Sequence, residues 1–327
     1  MSMTSFIVEN LKTRLDKFLV GQLPQFSRSQ IQRDIEAGQV TVNGEKTVES
    51  KFVVRKNDEV IYRKLEIVNR KSEPKDIPIK TLYNNHGLLI IDKPAGLSVH
   101  PGAGVRGDSL TQVLLYHFKD IKLVGEEGRP GIVHRLDKDT SGVMLIALTQ
   151  EMYEYLKDAF LERKVRKEYI ALVRGVPEKA HGFIDTPIGK SKSDFRKYST
   201  KNMIEARPSL TEYRVLEVLS LEGSPLQRGE PSKEGDVDKM ALISVNLHTG
   251  RTHQIRVHMD SIGHPLMGDI LYGHKRTKLS GLQRQFLHAH RIEVQLPEST
   301  WIEAESELAD DLRHVLQELN SKVVNSF

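Results

Sequence analysis

The chain has 327 residues, with 48 basic and 44 acidic side chains, a formal net charge of +4 and no cysteine. The lack of cysteine excludes disulfides and thiolate metal sites, and no apolar run is long enough to span a bilayer. The N-terminus has no apolar signal core, so we expect a cytoplasmic protein with no membrane partner.

The length predicts two domains. Residues 1–75 hold 14 basic and 10 acidic residues, which equals the whole net charge and indicates nucleic-acid binding there.

The N-terminal segment has the pattern of a small α+β module. Leu15, Phe18 and Leu19 share one face of a predicted first helix. Residues 27–30 have the Ser-x-x-Gln form of a capping box and open a second predicted helix, which ends near Gly38. The segment is therefore expected to fold around a pair of short helices.

A hairpin is predicted after the second helix, because residues 40–42 alternate like a strand and an Asn-Gly turn signal follows them. Arg28 and Arg33 lie on the second helix, where a solvated helix face and an RNA contact are equally good interpretations. The order helix, helix, hairpin resembles the RNA-binding module first seen in a small-subunit ribosomal protein. The resemblance covers most of residues 13–62 and implies that Arg28 and Arg33 bind RNA.

Residues 63–80 are charged and contain two prolines, so we predict a linker here and a domain boundary after residue 75. Beyond it, strands and helices are interspersed without strict alternation, which indicates an α+β fold. A helix capped by Thr252 should end at Gly263, with Ile262 among its core-facing residues. The other predicted elements are strands at 88–92, 168–173, 211–219 and 240–247, helices at 110–118 and 150–162, and a surface loop between 219 and 240.

A loop dense in His, Arg and Asp stands directly before an apolar run at residues 143–148. It reads Gly-Ile-Val-His-Arg-Leu-Asp-Lys-Asp-Thr-Ser-Gly over residues 131–142. Catalytic groups concentrate on loops held by a rigid scaffold, and an extended chain turns Arg135 and Asp137 to the same side. An isolated Arg-x-Asp more often forms an ion pair beside a capped turn, so this pair alone does not define a site.

Three further segments complete a longer pattern. Residues 92–102 read Asp-Lys-Pro-Ala-Gly-Leu-Ser-Val-His-Pro-Gly, residues 166–171 read Arg-Lys-Glu-Tyr-Ile-Ala, and residues 249–259 read Thr-Gly-Arg-Thr-His-Gln-Ile-Arg-Val-His-Met. With the loop at 131–142, they resemble the motifs of the pseudouridine synthase family that modifies ribosomal large-subunit and transfer RNA. The resemblance covers nearly all of residues 80–300. It implies a catalytic domain, residues 76–327, with a mixed, mainly antiparallel sheet and flanking helices.

The resemblance also implies roles for individual residues. Asp137 matches the catalytic Asp, which must be ionised to act as nucleophile or base, and Arg256 matches the basic residue that could favour that charge. Tyr169 matches the active-site Tyr, which can stack on the displaced base. Arg135 is expected to fill the space left by a flipped-out uridine and to hold phosphate, and Leu287 to pack against the flipped base.

Two other motifs are set aside. Residues 102–107 fit G-x-G-x-x-G, but no clean strand precedes them and the acidic residues about twenty positions on lie in a loop. His248, His253 and His258 are spaced by five, whereas helical neighbours are three or four apart. We therefore expect no cofactor and no metal.

The leading functional hypothesis is a pseudouridine synthase, an isomerase that acts as a monomer on large-subunit ribosomal RNA or on a pre-ribosomal particle.

 

The N-terminal module and the Val-His-Pro-Gly-Ala-Gly motif at residues 99–104 resemble the D-type branch of the family. Membership of the C-type branch and a transfer RNA substrate remain alternative hypotheses. A catalytically silent ribosome-assembly factor is a second hypothesis, which the intact set of Asp137, Tyr169 and Arg256 opposes. A third is a glycoside or nucleoside hydrolase that pairs Asp137 with Asp139, although no sugar-stacking aromatic lies nearby in the sequence.

Overall fold

The structure, a computed structural model, describes residues 2–9, 12–23, 28–47, 49–64, 74–100, 108–126, 128–220, 239–273, 279 and 281–327. The chain forms two compact units, Met1–Glu73 and Pro74–Phe327. Ser27 of the expected capping box, the G-x-G-x-x-G segment and residues 221–238 of the expected surface loop lie outside the described residues. Within the described ranges, no helix is long and apolar enough to cross a membrane.

The first unit combines two helices with short strands. The helices are α1 (Leu15–Gln22) and α2 (Arg28–Glu36). The strands are β1 (Ser2–Ile7), β2 (Lys12–Arg14), β3 (Val40–Val42), β4 (Glu45–Thr47), β5 (Val53–Arg55) and β6 (Glu59–Lys64). One sheet has the order β1-β6-β3-β4, and β2 pairs with β5. The predicted succession of helix, helix and hairpin is confirmed.

The hairpin and the helices of this unit form for the reasons that their sequences indicate. Asn43 and Gly44 both have positive φ, 51° and 85°, the pair of left-handed residues that a two-residue hairpin turn requires. Leu15 on α1 and Ile31 on α2 are fully buried in a common apolar cluster. Gly38, with φ 69°, follows the end of α2 as expected.

The second unit is built on a large sheet. The strands of the whole unit are β7 (Lys80–Asn85), β8 (Leu88–Lys93), β9 (Gly125–Glu126), β10 (Arg129–Pro130), β11 (Ser141–Ala147), β12 (Arg166–Arg174), β13 (His181–Asp185), β14 (Ile188–Ser191), β15 (Tyr198–Ser199), β16 (Met203–Arg207), β17 (Leu210–Ser220), β18 (Lys239–Leu247), β19 (Leu287–Gln295) and β20 (Trp301–Glu305). The main sheet has the order β13-β17-β18-β12-β19-β11-β8-β7, with β20 beside β19. Only the β11–β19 pair among these described strands is parallel, so the predicted mixed, mainly antiparallel sheet is confirmed.

Helices cover both faces of this sheet. They are α3 (Leu110–His117), α4 (Gln150–Leu161), α5 (Gln254–Ser261) and α6 (Asp310–Glu318). The central strand β12 alternates between two apolar cores. Tyr169, Ala171 and Val173 face the core that holds α3 and α4, whereas Ile170 and Leu172 face the core that holds α6. Strand β12 is therefore packed between two apolar cores.

Helix α5 differs from its prediction at both ends. Its N-cap residue is His253, with φ 57°, so the expected cap by Thr252 is wrong. The Gln254 side chain instead accepts the backbone N–H of Arg251 at 2.9 Å and fixes the turn before the helix. Ile262 follows the last helical residue and is 39% exposed, so its expected place in the core is also wrong.

Candidate active site

The loop before β11 carries Asp137 at the inner wall of a cleft of about 810 Å³. The backbone N–H of Thr140 donates to the Asp137 carbonyl at 3.1 Å and closes a tight turn around it. Gly142 has φ 112°, and a Cβ there would lie 2.1 Å from the Ala289 carbonyl oxygen. Glycine at this position therefore allows β11 to approach β19 closely and sets the exit direction of the loop.

Two buried basic side chains, those of Lys93 and Arg284, hold this loop through its backbone carbonyls. Lys93, fully buried, donates from Nζ to the Lys138 carbonyl at 3.1 Å, and Arg284 donates from Nη1 to the Asp139 carbonyl at 3.0 Å. Burial lowers the pKa of Lys93 to about 7, although the charge of Asp139 opposes this change. Arg284 also forms an ion pair with Asp311 in the first turn of α6. The backbone around Asp137 is thus fixed by contacts to two separate elements.

Arg256 on α5 joins Asp137 to a second carboxylate. Its Nη1 donates to Asp137 Oδ2 at 3.1 Å, while Nε and Nη2 donate to Asp269 at 2.7 and 3.0 Å. Asp269 is fully buried and Arg256 nearly so. Burial opposes the charged form of Arg256, but the hydrogen bonds and charge of Asp269, with the charge of Asp137, raise its pKa. A permanent positive charge therefore lies beside the Asp137 carboxylate.

His253 lines the cleft beside Asp137 and forms a hydrogen bond with Tyr272. His253 Nδ1 lies 2.8 Å from the Tyr272 hydroxyl, and its Nε2 lies 3.9 Å from Asp137 Oδ2. Burial lowers the pKa of His253, although the charge of Asp137 acts in the opposite direction. The imidazole is therefore neutral at pH 7. The Tyr272 hydroxyl also accepts the backbone N–H of Tyr198 at 3.0 Å, and its ring lies 5.1 Å from the Arg256 guanidinium carbon.

Tyr169 and Leu287 line the same cleft from neighbouring strands. Both are buried, at 7% and 4% exposure. Burial raises the pKa of the Tyr169 hydroxyl, and the charge of Asp137 raises it further. Tyr169 is therefore a neutral phenol that can donate or accept a hydrogen bond at the wall of the site.

The outer part of the cleft is rich in positive charge. Arg135 lines this part of the cleft and is exposed, whereas the next residue, Leu136, is buried. The other basic lining residues are Arg129, Lys157, Arg163, Arg166, Lys167, Arg251 and Arg291. Positive charge around a deep polar site suits a polyanionic ligand.

The structure brings five of the seven expected site residues together. Asp137, Tyr169, Arg256, Arg135 and Leu287 all line this cleft. Of the two carboxylates proposed for a hydrolase, Asp137 lines the cleft, whereas Asp139 is not among its lining residues.

The two remaining residues belong to the other unit. Arg28 donates to the buried carboxylate of Asp16 at 2.9 Å, while 49% of its side chain stays exposed. Arg28 therefore stabilises the fold of its unit and still presents part of its guanidinium to solvent. Arg33 lies within α2, and its side chain is outside the described part of the structure.

The three histidines spaced by five residues have different partners. His248 bonds to Glu212, His253 to Tyr272, and His258 is buried between the Thr211 hydroxyl and the Thr186 carbonyl. Among the described residues, no cluster of three or more such side chains could hold a metal ion.

Sequence reasoning missed Lys93, Asp269, Tyr272 and Arg284. Each is a polar residue whose importance depends on burial and on partners distant in sequence, which no local pattern shows. Lys93 had the clearest signal, because it lies in the Asp-Lys-Pro phrase that belongs to the motif set. His253 was named only as a rejected zinc ligand, whereas the structure places it beside Asp137.

Comparison with known proteins identifies this arrangement. A model of the RNA pseudouridylate synthase family matches residues 87–261, more than half of the chain, and an S4 domain model matches residues 13–60. The chain therefore belongs to the RNA pseudouridine synthase family, whose members are isomerases, and it carries an N-terminal S4 domain.

Individual relatives agree with that family. A protein of Aquifex aeolicus, named an uncharacterised RNA pseudouridine synthase, is 40% identical over 84% of this chain and 81% of its own length. The ribosomal large subunit pseudouridine synthase D of Nitrosomonas europaea is 38% identical over 94% of this chain and 85% of its own. Among solved structures, human RNA pseudouridylate synthase domain containing 4 matches with a TM-score of 0.54 and 26% identity, covering 74% of this chain and 93% of that one.

Proposed function

We propose that this protein converts specific uridines of large-subunit ribosomal RNA into pseudouridine, with Asp137 as the catalytic carboxylate. The reaction breaks the bond from uracil N1 to ribose C1′ and forms a bond from C5 to C1′. The C5 hydrogen leaves and N1 gains a hydrogen, so substrate and product have the same formula. The reaction therefore needs proton transfers but no external oxidant or reductant, and a carboxylate placed beside the nucleoside can serve as its nucleophile or base.

The contact between Asp137 and Arg256 is the observation that carries this proposal. A guanidinium 3.1 Å from the carboxylate stabilises its negative charge, which Asp137 needs as nucleophile or base. Asp269 holds Arg256 through two hydrogen bonds, so the guanidinium is oriented before RNA binds. Tyr169, on the same wall, supplies a ring for stacking and a hydroxyl for proton transfer.

The depth of the site supports base flipping. Only 14% of the Asp137 side chain is exposed, so a uridine stacked within an RNA helix cannot reach it. The uridine must leave its stack to enter the cleft. Arg135, exposed at the entrance, then contacts phosphate or fills the vacated position, and Leu287 packs against the flipped base.

The names of several relatives support ribosomal RNA as the substrate. Proteins of Nitrosomonas europaea, Zymomonas mobilis and Borreliella burgdorferi that are 32–38% identical to this chain are named ribosomal large subunit pseudouridine synthase D. The S4 domain supplies a second RNA contact in this proposal, with the half-exposed Arg28 and with Arg33 on its second helix.

Mapping of pseudouridines in cells tests the proposal. Ribosomal and transfer RNA would be compared from cells with the gene, without it, and complemented by wild type or by Asp137→Asn. We expect at least one pseudouridine in large-subunit ribosomal RNA to vanish on deletion and to return only with wild type. Loss confined to transfer RNA would contradict the substrate, and restoration by Asp137→Asn would contradict the role of Asp137.

A further inference from the structure

An aromatic cluster lies at the edge of the main sheet, and one of its members, His248, lines the cleft that holds Asp137. His181 and Phe183 are on β13, the end strand of the described sheet, and His248 follows β18. The Nε2 atoms of both histidines hydrogen-bond to the Glu212 carboxylate, at 2.8 and 3.2 Å. One carboxylate thereby fixes two imidazole rings that both lie close to the Phe183 ring.

The rings of this cluster are close together and open to solvent. The Phe183 centroid lies 5.3 Å from that of His181 and 6.4 Å from that of His248. Phe183 is 58% exposed, and the two histidine side chains are 43% and 41% exposed. Phe183 thus contributes little to the core, and its ring is available to a ligand. We call His181, Phe183 and His248 the stacking platform.

The register of the sheet connects this platform to the catalytic strand. Phe183 is the cross-strand partner of Glu212, Glu212 of Asn246, and Asn246 of Glu168. Cross-strand partners share one face of a sheet, and three strand spacings of roughly 4.8 Å span about 15 Å. Glu212, Asn246 and Glu168 all line the cleft, and Glu168 directly precedes Tyr169. A ligand in the cleft can therefore extend along this row to the platform.

The chemistry of the row favours bases over phosphates. Glu168 and Glu212 present carboxylates that repel phosphate, while Asn246 offers an amide that pairs with base edges. Aromatic rings attract any base through its π-face. Arg214, the exposed cross-strand partner of His181, places a positive charge at the outer side of the platform, where a phosphate can lie.

We propose that the stacking platform binds an unpaired base of the RNA strand that flanks the target uridine, so that the cleft recognises a single-stranded segment. This inference rests on the proposed function, because it assumes an RNA substrate. Phe183 supplies the main stacking surface, the two histidines widen it, and Glu212 holds both histidines in place.

The test measures binding and turnover of the full-length protein on transcribed large-subunit ribosomal RNA that carries 5-tritiated uridine. Phe183→Ala should weaken RNA binding about 5- to 150-fold, the loss expected from one base–aromatic stack. The salt dependence of binding should not change, since Phe183 neutralises no phosphate, whereas Arg214→Ala should make it shallower. Phe183→Trp should bind like wild type and Phe183→Leu like Phe183→Ala, because leucine has no π-face. Tyr116→Ala is the matched control, since Tyr116 is 45% exposed beside His117 on α3 and does not line the cleft.

Equal RNA affinities of wild type and Phe183→Ala would overturn the proposal that the platform binds a base. Wild-type affinity in Phe183→Leu would also overturn it, because it would indicate an apolar contact, such as one with a protein, and not stacking. Absence of tritium release by wild type, with the affinity loss in Phe183→Ala intact, would instead contradict the proposed isomerase function. The two failures are therefore distinguishable.

Discussion

Arg256→Lys should reduce turnover strongly and leave the protein folded. Lysine keeps the positive charge, but its single ammonium group cannot form the bidentate hydrogen bonds to Asp269 and also reach Asp137. In the native site the guanidinium does both, with bonds of 2.7 and 3.0 Å to Asp269 and 3.1 Å to Asp137. The Asp137 carboxylate therefore loses its oriented partner in the variant.

The magnitude follows from the one hydrogen bond that Asp137 loses. A hydrogen bond to a charged group contributes about 1.5–3 kcal/mol, and a factor of ten in rate corresponds to about 1.4 kcal/mol, so kcat should fall roughly 10- to 150-fold. Asp269 keeps the backbone N–H groups of Leu271 and Tyr272 at 2.9 and 3.0 Å. The stability loss should thus stay well below the 5–15 kcal/mol that is typical of a folded domain.

Steady-state tritium release from ribosomal RNA labelled with 5-tritiated uridine measures this effect, with the melting temperature recorded beside it. Arg313→Lys is the matched control, because Arg313 is a partly buried arginine that pairs with Glu307 on the side of α6, and it does not line the cleft. A kcat for Arg256→Lys close to that of wild type would refute the reasoning. If Arg251→Lys abolished turnover instead, the essential cation would be Arg251.

Three further changes have defined outcomes. Tyr169→Phe keeps the ring but removes the hydroxyl, so single-turnover tritium release should slow by about 100-fold or more if the hydroxyl transfers a proton; an unchanged rate would restrict Tyr169 to stacking. Asp311→Asn weakens the tie from α6 to the loop through Arg284, and because this ion pair is half-exposed, kcat should fall only about two- to fivefold; a change in affinity for RNA without a change in kcat would contradict this role. Deletion of Met1–Glu73 should lower RNA affinity and reduce the salt slope by about 0.7–0.9 for each lost phosphate contact, and equal slopes in a filter-binding titration would exclude an RNA-binding arm.

The sequence predicted the elements of the fold more completely than their ends. The hairpin at residues 40–47 and the buried strand β8 have local causes, an Asn-Gly turn and a short apolar run. The start of α5 depends instead on the Gln254 side chain, which takes the place of the expected Thr252 cap. Such a choice between neighbouring polar residues is made by tertiary contacts, so helix boundaries are the least predictable feature.

The residues of the candidate site were predicted through motif resemblance and not through local patterns. Asp137 and Arg256 are 119 positions apart in sequence but 3.1 Å apart in the structure, and no periodicity connects them. The same limit explains why Asp269 was missed. Its role comes from complete burial against Arg256, and burial of a single carboxylate leaves no signature in the surrounding sequence.

Asp137→Asn tests the central claim most directly. The substitution keeps the size and shape of the side chain and removes its charge, while Arg256 keeps both hydrogen bonds to Asp269. Release of tritium from 5-tritiated uridine in large-subunit ribosomal RNA should fall to background, with the melting temperature and RNA affinity close to those of wild type. Substantial tritium release by the folded variant would contradict the assignment of Asp137 as the catalytic carboxylate.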